Sequence, residues 1–360
     1  MKAKVLTVAL ALLALLTVAP AAQATYNPIS SGTTKLALAK PFLALLKENG
    51  IKLSGSGGAT LKAGTATFPV SGGKFDPTTS YGFVEHTGAL FFRAGKQKVP
   101  LTSLQLKTTQ KHAPFSAKFG GGQLKVASTA KLTVSRVGFG DKVQVATLKL
   151  SSKVATRLNK KLRLKNVFVA GQPIGTAVTM ANPQTVAVAD SGKANFVFDP
   201  GTAAKLQSLF VAVNPVFAAE HPGPFTLPLF TGTISPTASE GTVQTLGSLE
   251  FIQQGGGQVF LREAWVELST GAYSVELELS PSPPYGGKQG RVSVGTLSLA
   301  GAALSAEPIA RTVGVANASI SMGANLAAAF NDAFAKPQGK SDVFHAGEAL
   351  GSISFTAQAQ

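Results

Sequence analysis

One stretch of this chain occurs twice. "FPVSGGKFDPTTSYGFVEHTGALFF" (Phe68 to Phe92) aligns without a gap on "LPLFTGTISPTASEGTVQTLGSLEF" (Leu227 to Phe251), 159 positions later. Pro69 falls on Pro228, Pro77 on Pro236, Gly82 on Gly241, Gly88 on Gly247 and Phe92 on Phe251. Upstream, Pro41 falls on Pro200 at the same offset. Downstream, "VFVAGQPIG" (Val167 to Gly175) echoes "VFHAGEALG" (Val343 to Gly351). Before each echo lies an apolar stripe at i, i+4, i+8: Val154, Leu158, Leu162 in the first half and Leu326, Phe330, Phe334 in the second. Asn159 and Asn331 hold equal places in those stripes. A unit this long is no solenoid repeat. It reads as two tandem domains, 25–190 and 191–360, meeting near Val186 to Gly192. The larger offset at the ends places extra residues of the second half around "SPSPPYGGKQG" (Ser280 to Gly290).

Within each unit the apolar period is two. In "VELEL" (Val275 to Leu279), Val275, Leu277 and Leu279 share one face and Glu276 and Glu278 the other, the pattern of a half-buried antiparallel strand. Thr270-Gly271 suits a hairpin turn before it, and "VQVATLKL" (Val143 to Leu150) and "VSVGTLSL" (Val292 to Leu299) read likewise. Asp76-Pro77 marks a turn between two strands. Frequent Gly and Pro point to a sandwich or barrel. Two short helices interrupt each unit. In the first, Pro41 leads Phe42, Leu45 and Leu46, and Gly50 ends the helix. In the second, Asp199 caps, Pro200 takes N1, and Leu206, Leu209, Phe210 and Val213 form the stripe. The expected fold is mainly β: two tandem antiparallel sandwich-like or barrel-like domains, each with two short α-helices.

The N-terminus reads as a secretory signal peptide over residues 1–24. Lys2 and Lys4 precede the apolar run Val5 to Val18, and Ala22-Gln23-Ala24 is a cleavage site, with cleavage expected after Ala24. The run is short for a span, so no transmembrane segment is expected after cleavage. The chain ends "ISFTAQAQ", which shows no hydrophobic anchor. There is no cysteine, which removes thiolate chemistry, disulfides and Cys metal sites. The expected location is extracellular or associated with the cell envelope.

Net charge is +16, unevenly spread. Residues 25–190 hold 23 Lys and Arg against 5 Asp and Glu, while residues 191–360 hold 8 against 12. Such asymmetry serves solubility, attracts the halves to each other, or marks a polyanionic partner. The densest basic run is "KVATRLNKKLRLK", with Lys153, Arg157, Lys160, Lys161, Arg163 and Lys165. Two readings stand for it: a solvated helix face, or a surface for anionic envelope polymers or lipids. A nucleic-acid partner is not expected, because the chain is exported and no aromatics interleave with the basic residues.

Catalytic spacings are missing: no G-x-S-x-G, no G-x-x-x-x-G-K-[ST], no H-E-x-x-H and no calcium loop. The triglycines Gly120 to Gly122 and Gly255 to Gly257 read as loops. His86, His112, His221 and His345 are scattered, so no metal site is expected.

The repeat, with "VPLTSLQL" (Val99 to Leu106) and the two "VF-x-AG" echoes, resembles the Htaa domain of secreted and surface bacterial proteins. The resemblance spans both halves and rests on glycine and apolar spacing. It implies a β-rich fold and haem binding in a haem-acquisition system, with a Tyr from an aromatic helical segment near the domain start as iron ligand and a His on an F-x-G-H turn supporting it. This sequence departs from that pattern. "KPFLALLKENG" (Lys40 to Gly50) and "DPGTAAKLQSLFVAV" (Asp199 to Val213) contain no Tyr, and neither "RAGKQK" after Phe92 nor "IQQGGG" after Phe251 contains His. The family ligands therefore have no counterparts here. The first reading is a non-enzymatic binding or envelope-associated module with an unresolved ligand and no required cofactor. The alternative is haem held by Tyr81 and His86. These lie five apart and need a turn or bulge to share a face, and the second unit has Glu240 and Thr245 there. Otherwise Tyr81 anchors a turn and His86 is a half-exposed strand residue. A second alternative is a hydrolase acting on the envelope.

Overall fold

A computed structural model describes residues 26–108, 114–119, 122–216, 224–280 and 287–360. The signal-peptide segment, His112 and His221 lie outside the described residues. The first sheet contains β1 (Asn27–Leu38), β2 (Ile51–Ser56), β3 (Thr60–Lys62), β4 (Thr65–Phe75), β5 (Gly82–His86), β6 (Ala89–Ala94), β7 (Gln97–Thr108), β8 (Phe115–Phe119), β9 (Gly122–Val137), β10 (Gly140–Leu150) and β11 (Pro173–Pro183). The second contains β12 (Val186–Ala187), β13 (Gly192–Phe198), β14 (Val211–Val216), β15 (Phe225–Ile234), β16 (Gly241–Thr245), β17 (Ser248–Gln253), β18 (Gln258–Glu267), β19 (Ala272–Ser280), β20 (Gly287–Ser298), β21 (Ala303–Glu307), β22 (Thr312–Met322) and β23 (Ala349–Gln358).

Each sheet closes on itself as an antiparallel ring of eight. The first runs β1-β4-β5-β7-β8-β9-β10-β11 and back to β1. The second runs β13-β15-β16-β18-β19-β20-β22-β23 and back to β13. A two-stranded flap hangs from the equivalent place in each, β2-β6 on β7 and β14-β17 on β18. Closure removes the open edges that a single sheet exposes. The register keeps the repeat in step: Val70 pairs with His86 and Leu229 with Thr245, each followed by a bulge, at Ser71 and at Phe230. The offset between equivalent positions rises from 158 (Lys118 and Glu276) to 168 (Gln123 and Arg291), so the extra residues enter between β19 and β20. Residues 281–286 of that connection lie outside the described set.

Alternation sets inside from outside. Val275, Leu277 and Leu279 of β19 are buried, and Glu276 and Glu278 face out. Burying each such side chain contributes about 1.5–3 kcal/mol. Apolar-in and charged-out is the inverse of a membrane barrel. Among the described residues no helix is long and apolar enough to cross a membrane.

Helices plug the barrels. In α1 (Lys40–Glu48), Phe42 and Leu46 are buried. In α2 (Ser152–Leu162), Ser151 caps through Val154 N, and Val154, Leu158 and Leu162 point inward. Asp199 caps α3 (Pro200–Ser208) through the backbone N–H groups of Gly201 and Thr202. The expected stripe through Val213 does not form. The helix stops at Ser208, Phe210 takes a left-handed φ of 54° and stands 75% exposed, and Val211 opens β14. Gly50 makes the same turn after α1 at φ 63° without the Cβ penalty. α4 (Ala324–Phe330) continues as one π turn over Asn331–Ala335, and Leu326, Phe330 and Phe334 are all fully buried.

The barrels touch through equivalent hairpins. Phe139, at the β9–β10 turn, packs into the core of the second barrel. Arg311, beside the β21–β22 turn, donates to the Gly138 carbonyl at 2.8 Å. Asn27 Oδ1 accepts from Ala187 N at 2.8 Å.

Candidate functional site

His86 ends β5 and points into the first barrel, only 5% exposed. The half-exposed strand position expected from sequence is thus buried: His86 alternates in phase with buried Val84, while Glu85 between them stays outside. The Leu104 carbonyl can only accept, so Nδ1 donates to it at 2.9 Å. Nε2 then accepts from the Thr34 hydroxyl at 2.6 Å, and Thr34 accepts from Thr179 at 2.7 Å. Thr34 and Thr179 are fully buried. The ring register places Ala194, Thr245 and Phe355 at the equivalent positions of the second barrel, so this polar chain belongs to the first barrel alone.

Burial holds the His86 pKa below its ordinary value, and the Leu104 carbonyl offsets this only in part. The unfolded chain therefore takes up a proton near pH 6.5 before the folded one does, and stability falls as pH drops through that range. Urea midpoints should be lower at pH 5 than at pH 7.5. His86→Thr, which installs the second barrel's residue, should narrow that difference; an unchanged difference would assign it to other groups.

Tyr81 stands at the other end of β5. Its carbonyl accepts from Asp76 N at 2.8 Å, and Asp76 Oδ1 takes Thr78 N, Thr79 N and the Thr79 hydroxyl. Burial pushes the Asp76 carboxyl up, but those hydrogen bonds outweigh it and hold the group low. Tyr81 is a turn residue, as expected. At about 3.3 Å per residue, five steps of extended chain separate Tyr81 and His86 by about 16 Å. They do not converge on one ligand.

A cleft does open above His86. Two bulges flank it, at Ser71 in β4 and at Ser103-Leu104 in β7, and Ser103 takes a left-handed φ of 49°. The opening, about 460 Å³, is walled by Ser71, Glu85, Ser103, Gln105, Lys118 and Gln123, with His86 at its floor. Bulges commonly re-aim side chains beside functional sites. Sequence reasoning singled out only His86 here. Thr34, Thr179 and the cleft walls come from strands distant in sequence, and no spacing signals them.

The six basic residues of the Lys153–Lys165 run behave as one exposed face. Lys153, Arg157, Lys160 and Lys161 lie on α2, Arg163 is its left-handed C-cap, and Lys165 follows; all are exposed. Arg157 donates to the Phe119 carbonyl at 3.1 Å. None of the six enters an ion pair among the described residues. Ion pairs there join Lys205 to Glu348, Arg262 to Glu278, Arg291 to Glu267 and Lys336 to Asp332, and His345, when protonated, to Asp342 and Glu348, all in the second half.

No family model and no curated protein matches the sequence. Among solved structures, the chain is similar to the C-terminal domain of HtaA from Corynebacterium glutamicum at 9% identity. That match covers 44% of this chain and 98% of that one, with a TM-score of 0.36. It is also similar to the N-terminal domain of the same HtaA at 15% identity, covering 48% of this chain and 99% of that one, with a TM-score of 0.34. Both bear the name of the domain family that the sequence resembles.

Proposed function

We propose that this chain is an exported, envelope-associated binding module, not an enzyme, and that its first barrel holds an acidic polymer on the face of α2. One observation carries the reading: six exposed cations lie on α2 or within three residues of its end and none is neutralised by an ion pair among the described residues, while ion pairs form within the second half. The buried stripe of Val154, Leu158 and Leu162 fixes the helix, so Lys153, Arg157, Lys160 and Lys161 are presented on ordered backbone, with Arg163 at its C-cap and Lys165 just beyond. Neighbouring like charges raise the local potential and draw in a polyanion, an attraction that salt screens within about 10 Å at 0.1 M. Export rests on the signal-peptide reading of residues 1–24. Against hydrolysis stands the one hydroxyl–imidazole pair described above. Thr34 is fully buried, and a carbonyl rather than a carboxylate orients His86.

Fluorescence anisotropy with labelled polyphosphate tests the reading. Affinity should fall steeply between low and high salt. Lys160→Gln/Lys161→Gln/Lys165→Gln should weaken binding about tenfold at low salt, about 1.4 kcal/mol. Salt-independent binding, or a triple variant that binds like the parent, overturns it. A Soret band on adding micromolar haem would instead favour the haem alternative.

A further inference from the structure

The cleft above His86 exists because three side chains are small or slender. The matched register puts Ser71, Ser103 and Gln105 where the second barrel has Phe230, Glu263 and Trp265. The backbone is the same in both, down to the bulges and to the left-handed φ of 49° at Ser103 and 46° at Glu263. The second barrel carries large side chains on this face, with Arg291 stacked 4.7 Å from the Trp265 ring and paired to Glu267. The first barrel therefore opens a cavity on a scaffold that does not require one.

We infer that this cleft binds one sugar unit of an acidic polysaccharide, whose acid groups continue onto α2. The inference rests on the polyanion reading above. The walls offer a carboxylate at Glu85, amides at Gln105 and Gln123, hydroxyls at Ser71 and Ser103, and an ammonium at Lys118. Carboxylates and amides present paired acceptors or donors that match the vicinal hydroxyls of a sugar ring. Glu85 disfavours a bare anion in the cleft, and the mostly polar walls give an apolar ligand little beyond Leu104 to bury against. A volume of about 460 Å³ falls in the range of small-ligand sites. Lys118 also gives the cleft a direction. It precedes Phe119, whose carbonyl holds the Arg157 guanidinium at 3.1 Å, so the cationic wall runs onto the basic face of α2. A glycan with acid groups on neighbouring units meets hydroxyl-reading groups first and cations next.

The test compares the full chain's binding to polygalacturonate and to polyphosphate of matched charge. Ser71→Phe/Gln105→Trp fills the cleft with the second barrel's own side chains. It should weaken polygalacturonate binding about tenfold, the worth of one or two charge-assisted hydrogen bonds, and leave polyphosphate binding within twofold. Should that variant lose its cooperative thermal transition, Ser103→Glu carries the same comparison at a position whose backbone accepts Glu in the second barrel. Filling that leaves polygalacturonate affinity unchanged, or weakens both polymers alike, overturns the sugar site while the polyanion reading stands. A parent chain that binds neither polymer overturns the polyanion reading itself, and the sugar site with it.

Discussion

Replacing Phe330 with alanine is expected to destabilise the second barrel by about 3–5 kcal/mol. Phe330 is fully buried, and its ring lies 4.8 Å from Phe251, 5.5 Å from Phe334 and 5.2 Å from Phe344. These partners come from the flap, the helix and the loop after it, so one side chain ties three elements together. Relaxation cannot refill the hole cheaply, because the surrounding rings are stiff and already in contact. The local helix geometry sharpens the point. The stripe at i, i+4, i+8 is buried in both barrels, on α-helical backbone in α2 and across the π turn at Asn331–Ala335 in the second barrel. The chain has two cores, so its unfolding is not a single two-state event. Hydrogen exchange in β22 and β23 is therefore the measurement, with β10 and β11 as internal control. Protection should fall in the former pair and hold in the latter. A loss under about 1 kcal/mol, or one shared equally by both barrels, would show that Phe330 is not the common anchor.

The legible part of this protein was periodic or repeated. Alternation in "VELEL" sorted Val275, Leu277 and Leu279 inward, because a strand has only two faces. The repeat announced two copies, and both close into the same ring of eight with the same flap. What alternation does not encode is where it breaks. Bulges at Ser71 and at Ser103-Leu104 shift the phase of β4 and β7 by one residue and flank the cleft, while His86 stays in phase with Val84 on β5. His86 finds Thr34 fifty-two positions away in sequence, a pairing set by ring closure and not by local pattern. Phe210 misled for a different reason. Its apolar side chain fits a helical stripe, but the chain needs a left-handed residue there and tolerates phenylalanine where the first copy uses Gly50. The exposed basic face of α2 was readable, since cations on the side opposite a buried stripe have nowhere else to point.

Asn331→Ala is expected to cost about 3 kcal/mol, and Asn159→Ala a similar amount. The equal placing of these residues in sequence has a shared physical cause. Asn331 Oδ1 accepts from Val343 N at 2.9 Å and Phe344 N at 3.0 Å, and its Nδ2 donates to the Phe344 carbonyl at 2.8 Å. Asn159 treats Phe168 the same way, accepting from its N–H at 2.9 Å and donating to its carbonyl at 2.8 Å. Each amide replaces a strand neighbour for a stretch that has none, which lets the loop carry Phe168 or Phe344 into the barrel mouth. Alanine leaves backbone donors and acceptors without partners at a part-buried site, and that penalty adds to the net worth of the bonds themselves. Aspartate separates the two roles. Asn331→Asp keeps the acceptor but sets a carboxylate against the Phe344 carbonyl, which favours the protonated form. The variant should be weak at pH 7 and recover as the pH is lowered and the carboxyl becomes a donor, whereas Asn331→Ala should not recover. Urea unfolding of both variants at pH 7 and pH 4.5 reads the difference. Parallel curves for alanine and aspartate would mean that the side chain matters by its volume and not by its bracket of hydrogen bonds.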